Sequence, residues 1–190
     1  MYLTIGKRKV MIVQQIKNNS FTLELIDTSR NNPWVKKAKL KRYLSACLPV
    51  FEDFVLNKKG LGLKSHGVKE IEMTLTLCGA QKIRSLNKEY RNKDKKTDVL
   101  SFPVHEQLRE GEDLMLMGVL NLGDVIICKE VAVKQAGEFE IDLEGETVHL
   151  LVHGFLHVLG YDHEISEAEE KIMQDLENTL LKKISKRLKR

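Results

Sequence analysis

The chain has 190 residues, 42% of them hydrophobic and 31% charged, the balance of an ordinary globular protein long enough for one domain. Only 3 Pro and 12 Gly exclude a collagen-like or low-complexity chain, and no run approaches the roughly 20 apolar residues of a membrane span. The opening residues MYLTIGKRKVMIVQQ hold a short apolar stretch with no small-residue cleavage site behind it, so a cytoplasmic protein with no membrane partner is expected.

Cys47, Cys78 and Cys128 are odd in number, far apart and in no CxxC, which speaks against a disulfide framework or a zinc ribbon. Cys78 and Cys128 each end an apolar run and read as buried small hydrophobes. The net charge of +4 hides a segregation: the balance is +9 over residues 1–65, −7 over 66–165 and +2 over 166–190. Inside the acidic middle, Lys82, Arg84, Lys88, Arg91, Lys93, Lys95 and Lys96 face only Glu89 and Asp94. Such a cluster either grips a phosphate backbone or is a solvated helix face and loop. The basic tail KKISKRLKR needs no ligand, because the last turn of a helix favours Lys and Arg.

In chain order, residues 1–30 include an N-terminal extension, a strand or an irregular segment, of which 20–28 alternate apolar and polar as a half-buried strand. From Trp34 to about Asn57 the apolar spacing is helical, with Pro49 as a kink or a junction between two helices. A glycine-containing loop over 58–67 leads to an alternating strand at 70–78 and a short helix at 80–90. Residues 98–102 form a short strand closed by Pro103, then an acidic loop over 105–116 precedes an apolar strand at 117–127 that contains Gly123. Helices are expected at 128–138 and 144–159, the second apolar nearly all round and hence buried in the middle of its domain. Ser166 and Glu169 form a capping-box pair that opens the last helix. The fold class is therefore α/β or α+β: one compact domain over 1–190, a small mixed sheet of about four strands and about five helices.

Four of the six histidines fall in HLLVHGFLHVLGYDH, residues 149–163. His153 and His157 are four apart on the buried helix and project from one face, where two imidazoles reach a common metal. His149 lies about 12 Å of helix axis from His157, too far to complete that set. Gly160 instead ends the helix in the left-handed conformation, and the turn Gly160-Tyr161-Asp162 brings His163 back over the same face. Three histidine ligands leave a fourth position open, as in catalytic rather than closed structural zinc sites; Ni²⁺ or another divalent metal also suits them. His149 has either a core or a substrate-facing role, and His66 and His105 lie in loops.

The spacing matches the H-E-x-x-H-x-x-G-x-x-H of metzincin proteases with one departure, Gly154 where those enzymes carry the glutamate base. Peptide hydrolysis by the glutamate-assisted route is thereby disfavoured. A base would come from elsewhere, with Asp98, Asp162 and Glu164 as candidates, or a ribose hydroxyl would itself attack.

Residues 153–163, HGFLHVLGYDH, resemble the H-G-x-L-H-x-x-G-Y-D-H signature of the YbeY family of bacterial endoribonucleases and rRNA maturation factors. Leu86-Asn87-Lys88-Glu89-Tyr90-Arg91 is similar to its L-N-x-x-Y-R, residues 94–103 to D-K-x-T-D-V-L-S-F-P, and residues 122–127 to L-G-D-I-V-I. Lys96 stands where the family often has proline, and the resemblance covers about 70–165. The resemblance implies a compact α/β domain with the histidine helix against a small sheet. It implies His153, His157 and His163 as ligands of one zinc ion, and Arg91 as the basic residue of the cleft. It also implies single-stranded RNA as substrate, processing of the small-subunit rRNA 3′ end, and the small ribosomal subunit as partner. On that reading, residues 82–96 line the RNA-facing lip, and His153, His157, His163 and Arg91 are the catalytic set, with water or the 2′-hydroxyl attacking. Ser101 and Thr97 have no partner that would activate them as nucleophiles. The rivals are a non-catalytic ribosome-assembly module stapled by its metal, and a metalloprotease.

Overall fold

A computed structural model describes residues 12–28, 38–57, 59–63, 67–106, 108–110 and 118–189. Its five strands are β1 (Ile12–Asn18), β2 (Phe21–Asp27), β3 (Glu70–Cys78), β4 (Val99–Pro103) and β5 (Val119–Cys128). The helices are α1 (Ala38–Leu56), α2 (Ala80–Arg91), α3 (Lys129–Glu138), α4 (Leu143–Val158) and α5 (Glu167–Leu188). The strands form one mixed sheet in the order β1-β2-β3-β5-β4, parallel at β2–β3 and β3–β5 and antiparallel at both edges.

Among the described residues the sheet has five strands, in keeping with the expected small mixed sheet of about four and an N-terminal segment that reads as either a strand or irregular. The N-terminal strand, β1, pairs with β2 across a two-residue Asn19-Ser20 turn, with Asn19 at a φ of 42°. Asparagine tolerates that left-handed backbone, which suits such hairpins. Glu52 of α1 anchors the turn by accepting hydrogen bonds from Asn18 Nδ2 (2.7 Å), the Ser20 backbone N–H (2.9 Å) and the Ser20 hydroxyl. Burial alone would raise the Glu52 carboxyl, but these donors outweigh it and hold the group below the usual carboxylate range.

Pro49 does not divide two helices: α1 runs unbroken through it. A proline there removes one N–H, so the carbonyl of Ser45 loses its usual donor. Burial of Leu44, Cys47, Leu48, Phe51 and Val55 on the surrounding turns holds the helix together regardless. His66 and residues 1–11 lie outside the described residues.

One sheet face carries the main core. Leu23 and Leu25 of β2, Ile71, Met73, Leu75 and Leu77 of β3, and Val125 and Ile127 of β5 lie there in one core with α1 and α4, and α5 packs in turn on those two helices. The opposite face is covered at the β4 side by α2, where Ile83 meets Cys78, Leu100 and Cys128. All three cysteines are free and buried, and burial pushes the Cys78 thiol up to about 12. As expected, α4 is central, touching β4, β5, α1, α3 and α5, with Phe155 stacked on Phe51 at a centroid distance of 3.9 Å. Among the described residues no helix is long and apolar enough to cross a membrane.

Two glycines permit close approaches beside α4, Gly123 that of β4 to β5 and Gly154 that of α4 to the sheet. The β3–β5 register slips between Glu72 and Thr74, and Gly123 sits in the resulting bulge at a φ of 115°. A Cβ on Gly123 would lie 2.1 Å from the Phe102 carbonyl oxygen. On α4, a Cβ at Gly154 would lie 2.6 Å from Val125 Cγ1 and 3.1 Å from Ser101 Oγ. Position 154 therefore faces the sheet, and the helix backbone rests directly on β5.

Candidate metal centre

The N-terminus of α4 is capped by Asp142, which accepts from the Gly145 N–H at 2.6 Å and is itself held by Tyr43 and Lys39. At the other end, Gly160 adopts a φ of 93°, and the Gly160 and Tyr161 N–H groups bond back to the carbonyls of His157 and Leu156. Tyr161 is buried, and its ring lies 4.5 Å beneath the guanidinium of Arg109. Arg109 in turn pairs with Glu169 in the first turn of α5, so the reversal is clamped from both sides.

That reversal places His163 beside His153 and His157, as the spacing predicts. Ring centroids are 4.6 Å apart for His153–His157, 5.2 Å for His153–His163 and 5.3 Å for His157–His163. One nitrogen from each lies within 4.8 Å of the others. The Nε2 atoms of His153 and His157 are 3.1 Å apart. Tetrahedral bonds of 2.0–2.1 Å set two imidazole nitrogens about 3.3 Å apart, so the donor set fits a small divalent cation.

Glu177 of α5 approaches His153 from behind, with Oε1 2.6 Å from Nδ1. A carboxylate only accepts, so Nδ1 carries the proton and Nε2 keeps its lone pair towards the other two rings. A carboxylate behind a ligating histidine fixes ring and tautomer in this way. Glu177→Gln is accordingly expected to weaken metal affinity about 10–100-fold, measured by competition with a chromophoric chelator. The His157 imidazole is pushed down to about 4, first by burial and then by His153 and His163, with a smaller contribution from Arg91. It is neutral at physiological pH, the form a metal binds.

Arg91 is the last residue of α2, exposed, and close enough for its charge to be felt at His157. The loop after it is well tied. Asn92 takes a left-handed cap (φ 55°), Lys93 N–H bonds Asn87 O, and buried Asn87 donates to Lys95 O at 2.8 Å. The basic segment is less open than its composition suggests, because Arg84 and Lys88 both pair with Asp94. Arg91, Lys93, Lys95 and Lys96 are exposed. Tyr90 stands 61% exposed next to Arg91, edge-on against Phe102 at 5.0 Å.

The other sequence candidates separate clearly. Asp98 accepts from Thr97 Oγ1, the Val99 N–H and Gln135 Nε2; burial pushes its carboxyl up, but these bonds leave it lowered. It is a tied structural acceptor at the start of β4. Asp162 accepts the Glu164 N–H, closing the turn before His163, and Glu164 itself is exposed. Ser101 faces Gly154, and His105 lies in the loop after β4. His149 sits one turn before His153 with Nδ1 3.3 Å from Oε2 of the buried Glu146. Glu177 and Glu146 are the functional candidates that sequence reasoning missed. An acid three residues before a helical histidine was the readable signal for Glu146.

An α/β sheet that brings three histidines together beside exposed basic residues is an arrangement suited to holding a divalent metal ion. The sequence profile described as Endoribonuclease YbeY matches residues 30–185, and the chain belongs to that family. A protein of Aquifex aeolicus named Endoribonuclease YbeY is 45% identical over 128 residues, which are 67% of this chain and 80% of that protein. One of the same name from a Sulfurihydrogenibium species is 45% identical over 123 residues, covering 65% and 76%. Another, from Staphylococcus carnosus, is 47% identical over 104 residues, covering 55% and 66%. A solution structure from Thermotoga maritima aligns with 70% of this chain and 82% of its own at 25% identity and a TM-score of 0.43.

Proposed function

We propose that this protein is a zinc-dependent endoribonuclease that cuts single-stranded RNA and matures the 3′ end of small-subunit rRNA in the cytoplasm, with the small ribosomal subunit as partner. The observation that carries this reading is the convergence of His153, His157 and His163 beside Arg91 in a chain of the YbeY family. The three histidines hold the cation, which supplies Lewis acidity when bound. Arg91, at a pinned helix end, grips a phosphate bidentately and stabilises the charge that develops on it. Lys93, Lys95 and Lys96 continue that basic track, and Tyr90 offers a face on which a base stacks. An exposed aromatic among cations suits a single strand with splayed bases better than a folded duplex.

The protease reading fails on Gly154. The residue that would be the glutamate base points into β5 rather than towards the histidines, so no carboxylate can occupy the protease position.

The test is cleavage of a labelled single-stranded RNA by metal-replete protein, beside His157→Ala and Arg91→Ala purified identically. Both variants are expected to remain folded by circular dichroism and to lose cleavage, Arg91→Ala by about 10²–10³-fold, the usual effect of removing one donor to transition-state charge. Variants that cut as well as the parent would overturn the nuclease reading and leave the assembly-factor reading.

A further inference from the structure

We propose that His149, held by Glu146, is the general acid that protonates the departing oxygen of the cleaved phosphodiester. This rests on the endoribonuclease reading above. Cleavage breaks a P–O bond whose electron pair leaves with a ribose oxygen, and an alkoxide is a poor leaving group unless a proton arrives with it. Among the groups around the pocket few can deliver one. His153, His157 and His163 are committed as ligands, Arg91 does not deprotonate, and Asp98 is tied by three donors.

His149 is differently placed. It lies on the same face of α4 as His153, one turn towards the helix start, and its side chain is 42% exposed. Glu146 is 1% exposed, with Oε2 on His149 Nδ1 and Oε1 buried without a hydrogen-bond partner. A buried carboxylate spent on one histidine keeps a proton on Nδ1, so Nε2 is the nitrogen that takes up the second proton of the imidazolium and gives it away. Arg91 acts electrically on His157, whereas His149 feels Glu146, Glu177 and Asp98. The phosphate grip is felt at His157 and the proton donor stands one turn before His153, so both border the three-histidine centre.

Electrostatics agree with the geometry. Glu146 raises the His149 imidazole above its ordinary value against the opposing effect of burial, and Glu177 of α5 and Asp98 before β4 add to the rise. From α3 the nearby side chain is the neutral Gln135, bonded to Asp98. His149 is therefore protonated in the pH range below that raised value, the state a general acid needs. In the step itself, the nucleophile's oxygen bonds to phosphorus and its proton goes to solvent. The P–O bond to the leaving ribose breaks, His149 Nε2 gives its proton to that oxygen, and the imidazole regains one from solvent.

The experiment uses the full-length zinc-loaded protein and an RNA oligonucleotide cut at one bond. Product-end analysis identifies the departing oxygen, and a second oligonucleotide carries sulfur in its place. A thiolate leaves without a proton. His149→Ala is expected to slow single-turnover cleavage of the oxygen substrate about 10²–10⁴-fold, with unchanged zinc content, and to cut the sulfur substrate within a few-fold of the parent. The fall in rate at high pH seen for the parent should vanish in the variant. Glu146→Gln should give a smaller loss on oxygen and none on sulfur. If circular dichroism shows the alanine variant unfolded, His149→Gln carries the comparison. Equal slowing on both substrates would overturn the assignment. A parent protein that cuts neither substrate would instead overturn the endoribonuclease reading, and this inference with it.

Discussion

Gly154→Ala is expected to lower the stability of the folded protein by about 1–3 kcal/mol, the usual cost of forcing a methyl into a filled core. The added Cβ would lie 2.6 Å from Val125 Cγ1 and 3.1 Å from both Val125 Cγ2 and Ser101 Oγ. Valine is stiff at χ1, and Val125 is fully buried in the middle of the sheet, so relief must come from lifting α4 off β5. For a chain of this size that loss is a drop of roughly 2–12 °C in melting temperature, readable by calorimetry. Lifting α4 also moves His153 and His157 against Arg91, so cleavage should fall by more than the unfolded fraction explains. Gly154→Glu adds a buried, unpartnered carboxylate, and a loss above about 4 kcal/mol is expected, which is unfolding rather than a protease. A Gly154→Ala protein as stable as the parent would mean that the helix–sheet contact is looser than these distances require.

That residue also marks how far a sequence can be read. As a letter in a motif, Gly154 is the absence of a base. In the fold it has a positive cause, since only a residue without Cβ lets the helix backbone rest on β5. The histidine cluster was legible because its geometry is local. An i, i+4 pair on one helix face and a left-handed glycine seven residues after the first histidine determine where three rings meet, whatever surrounds them. The elements were legible for the same reason: β2 and β3 alternate cleanly, and Ser166 accepts from the Glu169 N–H as the capping pair predicts.

What stayed hidden depends on contacts between distant segments. Glu177 lies 24 residues from His153 and meets it only because α5 packs along α4; no spacing rule encodes that register. β1 is an edge strand in which Val13 is exposed and Ile16 is buried, so its alternation is too faint to separate from a coil. Pro49 is the converse case, where a strong local signal for a break is overridden by the burial of both flanking turns. The charge cluster at 82–96 was visible as composition, but its division into an Arg84–Asp94–Lys88 clasp and an exposed remainder required the fold.

Removing the metal is expected to abolish RNA cleavage while leaving the protein folded, and this separates a catalytic centre from a structural staple. The apolar side of α4 holds the helix through Leu151, Val152, Phe155 and Leu156, all fully buried and all independent of the imidazoles. A chelated protein should therefore keep its circular dichroism spectrum, melt at a lower temperature and cut nothing. Returning Zn²⁺ should raise the melting temperature with concentration. A ligand at about 100 times its Kd contributes roughly 2.7 kcal/mol, or about 5–11 °C for a domain of this size. His157→Ala should show neither the shift nor the recovered cleavage. Parallel additions of Ni²⁺ and Mn²⁺ rank the metals by activity rather than by affinity, which Irving–Williams ordering alone would bias towards nickel. The staple reading predicts the opposite pattern: the chelated chain unfolds, RNA binding disappears with the fold, and no metal concentration produces cleavage. The buried apolar contacts of α4 make that second pattern the harder one to obtain, because the helix does not depend on its histidines to stay in place.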